Sequence, residues 1–178
     1  MTPTILTSGG TYFNFTAPGE SIISIDTIAH ALSHICRFTG HSSQFYSVAQ
    51  HCYHVSFVVP PHLALDGLLH DAAEAYIGDV SKPLKCLLPD YAVIETQVED
   101  AINKHFGLTR QNDPWIKRAD LIMLATEQRD LMPTHDDNWF AGTDIQPLQE
   151  QIVPWDARTA RMKFLSRFYN LTRAQVTA

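Results

Sequence analysis

Three helix-forming segments of this chain share one conflict, which constrains the fold more than any other feature: each carries an ionisable side chain on the face that its own apolar residues would bury. Apolar residues spaced i, i+3, i+4 and i+7 mark the buried stripe of a helix. In YSVAQHCYHVSFVV, residues 46–59, that stripe is Val48, Cys52, Val55 and Val59, and His51 falls inside it. In LLHDAAEAYIGDV, residues 68–80, His70 and Glu74 are i and i+4 and share a face, with Asp71 one residue round. Leu65, Leu68, Leu69, Ala72 and Ala73 surround them with apolar surface. In WIKRADLIMLATEQRDL, residues 115–131, Asp120 comes four residues after Ile116 and three before Met123, while Arg118 faces elsewhere.

Taken alone, His51 reads as a core histidine satisfied by a carbonyl. Asp71 is harder to explain, because a buried carboxylate without a partner costs several kcal/mol and needs a cation or a proton. One divalent cation accounts for all three segments together. Two imidazoles, His51 and His70, and two carboxylates, Asp71 and Asp120, make a mixed nitrogen and oxygen set suited to zinc, manganese, cobalt or iron rather than calcium. Without cysteine ligands such a site is expected to stay open to water, whose pKa a metal lowers towards neutrality.

The rest of the chain reads as one mostly α-helical domain over residues 1–178, an all-α fold with a short N-terminal β-hairpin. ILTSGGTYFNF alternates polar and apolar residues around Gly9-Gly10, which predicts the hairpin within residues 1–20. The spacing predicts helices over SIDTIAHALSHICRF, over 46–59, over about 62–76 ending at Gly78, and from Pro89 to Gly107. A fifth helix opens on the cap-and-proline pair Asp113-Pro114 and runs to Pro133, so that residues 25–131 carry the motifs. Residues from about 132 to 154 read as a long loop, of a length that is often functional. A last amphipathic helix spans 154–172, and its Phe164, Phe168 and Tyr169 suit either an interface or a core.

A net charge of −6, with no run of Lys or Arg longer than two, argues against a nucleic-acid surface. Three cysteines without a CxxC argue against disulfides and thiolate zinc. No apolar run reaches the ~20 residues of a bilayer span and no secretory leader is visible, so the expectation is a cytoplasmic protein without membrane contact.

An isolated histidine, a His-Asp doublet and a distant aspartate, all on helices, resemble the HD-domain metal-dependent phosphohydrolases. HDAAEAYIGDVSKPLK, residues 70–85, together with RFTGHSSQFYSVAQH, residues 37–51, resembles the small nucleotidase branch, which holds bacterial 5′-deoxynucleotidases and phage dATP triphosphohydrolases. The likeness spans residues 25–131. It implies an HD-type helical bundle, with His51, His70, Asp71 and Asp120 as ligands of one zinc, manganese or cobalt ion, and additional magnesium accompanying a triphosphate. It gives Glu74 the task of orienting or deprotonating the attacking water, or of helping to protonate the leaving group. Asp79 would hold the sugar hydroxyl or assist the acid chemistry.

Arg37, fourteen residues before His51, matches the arginine that grips phosphate, a task that suits a planar guanidinium. Phe38 stands where relatives often carry a tryptophan that crowds the sugar and excludes a 2′-hydroxyl. Lys82 and Lys85 would neutralise further phosphates, and His41, with Tyr46, would supply contacts in the loop before the second helix. The implied activity is hydrolysis between deoxyribose and α-phosphate, from dATP or another dNTP to deoxynucleoside and triphosphate. Turnover of deoxynucleoside monophosphates is the first alternative and a non-catalytic nucleotide sensor the second. The resemblance further implies a homo-oligomer, in the host cytoplasm if the gene is phage-borne.

Overall fold

The computed structural model describes residues 2–110 and 112–176, the last three by backbone alone. Two short strands, β1 (Thr4–Leu6) and β2 (Tyr12–Asn14), pair antiparallel with Ile5 opposite Phe13. The turn between them places Gly10 at φ +76°, a conformation that costs glycine nothing. The remainder is mostly helical: α1 (Ile25–His34), α2 (Val48–Val58), α3 (Ala64–Leu69), α4 (Glu74–Ile77), α5 (Lys82–Lys85), α6 (Pro89–Phe106), α7 (Pro114–Leu131) and α8 (Ala157–Val176). Among the described residues no helix is long and apolar enough to cross a membrane.

Helix α2 is the hub, packed against α1, α3, α7 and α8. Its start is fixed by Ser47, whose hydroxyl accepts from the Gln50 amide at 3.2 Å. The larger core lies where α1, α2 and α8 meet, around Ile28, Leu32, Val48 and Phe164. A second core, around Val55, Val59, Ile116 and Met123, joins α2 to α7. Phe164 and Phe168 of the last helix are thus core residues, while Tyr169 is exposed. The hairpin is stapled on by Phe13, which is fully buried and stacks on Tyr76 of α4 at 3.9 Å between ring centroids. At Gly67 in α3, an added Cβ would lie 3.0 Å from Val59, so α3 crosses α2 closely because that residue has no side chain.

Two helices differ from expectation. The first stops at His34, and Ile35 and Cys36 run extended so that Cys36 bridges Ser47. The third is interrupted: between α3 and α4, the amides of Ala72, Glu74, Ala75 and Tyr76 bond three residues back rather than four, as with Glu74 to Asp71 at 3.0 Å. That tightened turn contains the His-Asp doublet.

The segment 132–154 has neither helix nor strand, yet it is tied down. The Leu148 amide donates to Thr126 and the Ile152 amide to Asp130, both on α7. Gln50 of α2 donates to the Val153 carbonyl and accepts from the Trp155 amide.

Candidate metal centre and adjoining cavity

The three conflicted segments converge. His51 Nε2 lies 3.3 Å from His70 Nε2, 3.4 Å from Asp120 Oδ1 and 3.6 Å from Asp71 Oδ2, and His70 Nε2 lies 3.2 Å from Asp71 Oδ2. Around a tetrahedral ion with bonds of 2.0–2.1 Å, neighbouring donors stand about 3.3 Å apart, so this set is spaced for one divalent cation. The residues could therefore hold a metal ion, and their nitrogen and oxygen donors are chemically suited to it. The residue types do not single out one metal.

Three of the four candidate ligands are held from behind. His70 Nδ1 donates to the Gly67 carbonyl at 2.9 Å, a carbonyl within the same helical run, which leaves Nε2 aimed at the cluster. His51 is fully buried and its Nδ1 donates to Glu127 Oε1 at 2.6 Å. The other Glu127 oxygen accepts from Arg37 Nε at 3.1 Å. One carboxylate thus orients both a candidate metal-ligand histidine and the arginine beside it. Asp120 Oδ2 accepts from Lys117 Nζ at 2.6 Å.

The charges of the cluster are strongly coupled. Burial works against the charged form of His70, but the Asp71 carboxylate overcomes it and holds the imidazole well above its usual range. His51 is likewise raised, with burial and Arg37 opposing and Glu127 prevailing. Burial would raise Asp71 and Asp120, yet the two histidines hold both well below the usual carboxylate range. Glu127 is lowered too, since Arg37 and His51 outweigh its burial. Arg37 stays charged despite burial because Glu127 and Asp71 face it, the latter 3.7 Å from a guanidinium nitrogen.

Glu74 is the exception. Burial first, and then the carboxylates of Asp71 and Asp79, push it well above its usual value, and its Oε2 has no hydrogen-bond partner among the described residues. Burial also raises Asp79. Between the two, Gly78 adopts φ +80° and ψ 162°, a region open essentially to glycine alone, and that turn directs Asp79 to the same cavity.

That cavity, of about 570 Å³, is lined by Arg37, Asp71, Glu74 and Asp120 and also by Phe38 and Trp139. Asp79, Lys82 and Lys85 also line it. Lys85 pairs with Glu95, so part of its charge is already balanced. His41 is exposed and does not line the cavity, and Tyr46 is a fully buried core residue. His30 and His34 stand apart from the cluster, with His34 Nδ1 bonding the His30 carbonyl at 2.7 Å. A second cleft of about 410 Å³ reaches Asp71 and Asp120 from the far side, sharing Lys117 with the first.

Four residues at the site escaped the sequence reading. Glu127 lies seven residues after Asp120, and extending the stripe of Asp120 and Met123 by one turn would have found it. Lys117 sits one turn before Asp120. Cys52 lies close to His70 and Asp71, in a second group that could hold a metal ion, and burial pushes its thiol up to about 11. Trp139 lies in a segment without periodicity, which left no signal.

No family model matches the chain. It is 40% identical over 176 residues, 98% of either chain, to the uncharacterized protein YfdR of Escherichia coli (strain K12). It is 31% identical over 112 residues, 57% of either chain, to an uncharacterized protein of Rhodobacter capsulatus.

Proposed function

This chain belongs to the family of YfdR, and because that name states no reaction, we propose from the chemistry of the site that the protein is an HD-type phosphohydrolase acting on deoxynucleotides. The observation that carries the reading is the juxtaposition of four metal-spaced donors with a charged buried arginine and a buried acid whose free oxygen has no partner. A divalent cation bound there supplies a Lewis acid and makes water nucleophilic near neutral pH.

Arg37, fixed by Glu127, holds nonbridging phosphate oxygens beside the cluster. Glu74, kept protonatable by burial and by its acidic neighbours, orients the water or returns a proton to the departing 5′-oxygen. Water adds to the α-phosphorus, the bond to O5′ breaks, and the deoxynucleoside leaves with the proton. Asp79 reaches the same cavity from its glycine turn and is set to accept from a sugar hydroxyl. Lys82 and Lys85 also line the cavity and are chemically suited to neutralise the β- and γ-phosphates of a dNTP, so dATP is the first substrate and dNMPs are the alternative.

A non-catalytic sensor is the less favoured reading, because a sensor has no use for a buried acid with an unpartnered oxygen, which costs stability. The test is a product assay. Protein loaded with manganese, cobalt or zinc is mixed with dNTPs, dNMPs and ribonucleotides, and nucleoside and phosphate products are resolved by chromatography. Deoxynucleoside plus triphosphate is the expected outcome. Asp71→Ala should lose metal and activity together, whereas Glu74→Ala should keep the metal and lose turnover by about 10²- to 10⁴-fold, the usual contribution of a general acid or base. Full activity in both variants would refute the assignment.

A further inference from the structure

We propose that Trp139 is a nucleotide-contacting residue, forming with Phe38 an aromatic wall on which the base of the bound deoxynucleotide stacks; this rests on the phosphohydrolase reading above. The cavity is divided chemically. Arg37, Asp71 and Asp120 in its lining suit phosphate and metal, while Phe38, Leu124 and Trp139 in the same lining are apolar, and the Phe38 ring centroid lies 5.4 Å from the Arg37 guanidinium, so a phosphate held by Arg37 brings the rest of a nucleotide beside these rings. The ring centroids of Phe38 and Trp139 are 6.3 Å apart, with planes inclined at 45°. A flat base between two rings needs about 7 Å, twice the ~3.5 Å carbon contact, so admitting one requires a small widening and a turn of the rings towards parallel.

The Phe38 ring is held in place at some cost. Phe38 has φ +56° and Thr39 φ +54°, a left-handed pair that is unusual for a bulky aromatic and points to a functional constraint. The turn is kept by the bond from the Arg37 amide to the Tyr46 carbonyl and by that from the Ser43 amide to Leu131 at the end of α7. Trp139 keeps 43% of its surface exposed, and its neighbour on the loop is His135, stacked at 5.5 Å. Gln128 of α7 donates to the Asp137 carbonyl at 3.0 Å and contacts His135, and Arg118 of α7 pairs with Asp144. The helix that supplies Asp120 and Glu127 therefore also positions the tryptophan. An ordinary loop anchor would turn its ring into the core, whereas this one faces the cavity.

The test compares wild type, Trp139→Leu and Trp139→Phe in manganese, using whichever of dATP or dAMP the wild type hydrolyses. Inorganic tripolyphosphate, or orthophosphate for dAMP, serves as a competitor that has no base. Trp139→Leu should raise KM about tenfold, within the range that stacking of a base on an aromatic ring supplies. Its kcat should stay within about twofold and its inhibition by the inorganic competitor should be unchanged, while Trp139→Phe should retain most of the affinity. Nucleotide should quench tryptophan fluorescence in wild type and in Trp115→Phe, but far less in Trp139→Leu. An unchanged KM in Trp139→Leu, or equal weakening of nucleotide and inorganic competitor, overturns the role of Trp139 and leaves the hydrolase reading standing. A wild-type protein that neither binds nor hydrolyses deoxynucleotide in manganese, cobalt or zinc overturns both.

Discussion

At the scale of single residues the decisive group is Glu127. It is fully buried, and its two oxygens serve two partners far apart in sequence, His51 at 2.6 Å and Arg37 at 3.1 Å. By accepting from Nδ1 it fixes the tautomer that leaves His51 Nε2 free to ligate, and by accepting from Nε it aims the guanidinium. Glu127→Gln keeps the shape and removes the charge. Affinity for manganese should fall by about 10- to 100-fold, as is usual when the group behind a ligating histidine is changed. The KM for substrate should rise with it, since Arg37 loses its orienting partner. Titration calorimetry with manganese reads the first effect and steady-state kinetics the second. Unchanged metal affinity in the Gln variant would reduce Glu127 to a packing residue. Glu127→Ala should be the more damaging change, because it strands two buried cationic groups.

At the scale of elements, the arrangement depends on how closely α3 crosses α2. Gly67→Ala gains about 1 kcal/mol of helix propensity but drives a methyl to 3.0 Å from Val59, and overpacking costs about 1–3 kcal/mol. The net loss should be about 1 kcal/mol, which lowers Tm by about 2–4 °C in a protein of this size. Metal affinity should weaken in parallel, because the Gly67 carbonyl holds His70. A Tm at or above that of wild type in a melting scan would mean that Val59 simply turns aside.

The same elements show what could be read from the sequence. Asp113-Pro114 and Gly107 are local signals and mark the start of α7 and the end of α6 where expected. The stripes of α2, the third helix and α7 likewise aim His51, His70, Asp71 and Asp120 at one core. The end of α1 at His34 has no glycine or proline beside it. It is set by the bridge from Cys36 to Ser47 and by the left-handed Phe38, both of which depend on distant chain. The break at the His-Asp doublet was hidden for a different reason. Tightening to i−3 bonds leaves His70 and Ala73 with helical dihedrals, so the apolar periodicity runs on unbroken.

At the scale of the whole molecule, the cluster ties α2, the α3–α4 turn and α7 to one point, so its protonation and metal content bear on global stability. Without metal, the cluster is held by proton-dependent pairs. His51 and His70 are raised above the ~6.5 of an unfolded histidine, so the stability they add is fully present below that pH and is lost as pH rises through their folded values. Asp71 and Asp120 are lowered, so their contribution is present above the ~3.9 of an unfolded aspartate and is lost as pH falls through their folded values. The chelated protein should therefore be most stable between about pH 4 and about pH 6.5, and should weaken as pH rises from there through the raised histidine values.

Metal reverses the trend, because ligation requires neutral imidazoles and releases their protons. A ligand at one hundred times its Kd adds about 2.7 kcal/mol. That corresponds to about 5–10 °C in Tm here, and affinity climbs as the histidines lose their protons. Melting curves at pH 6, 7, 8 and 9, with EDTA or with manganese, should show a gap in Tm that widens with pH. A gap that stays constant, or a chelated protein that gains stability between pH 6 and 9, would mean that the two histidines do not titrate with the metal site.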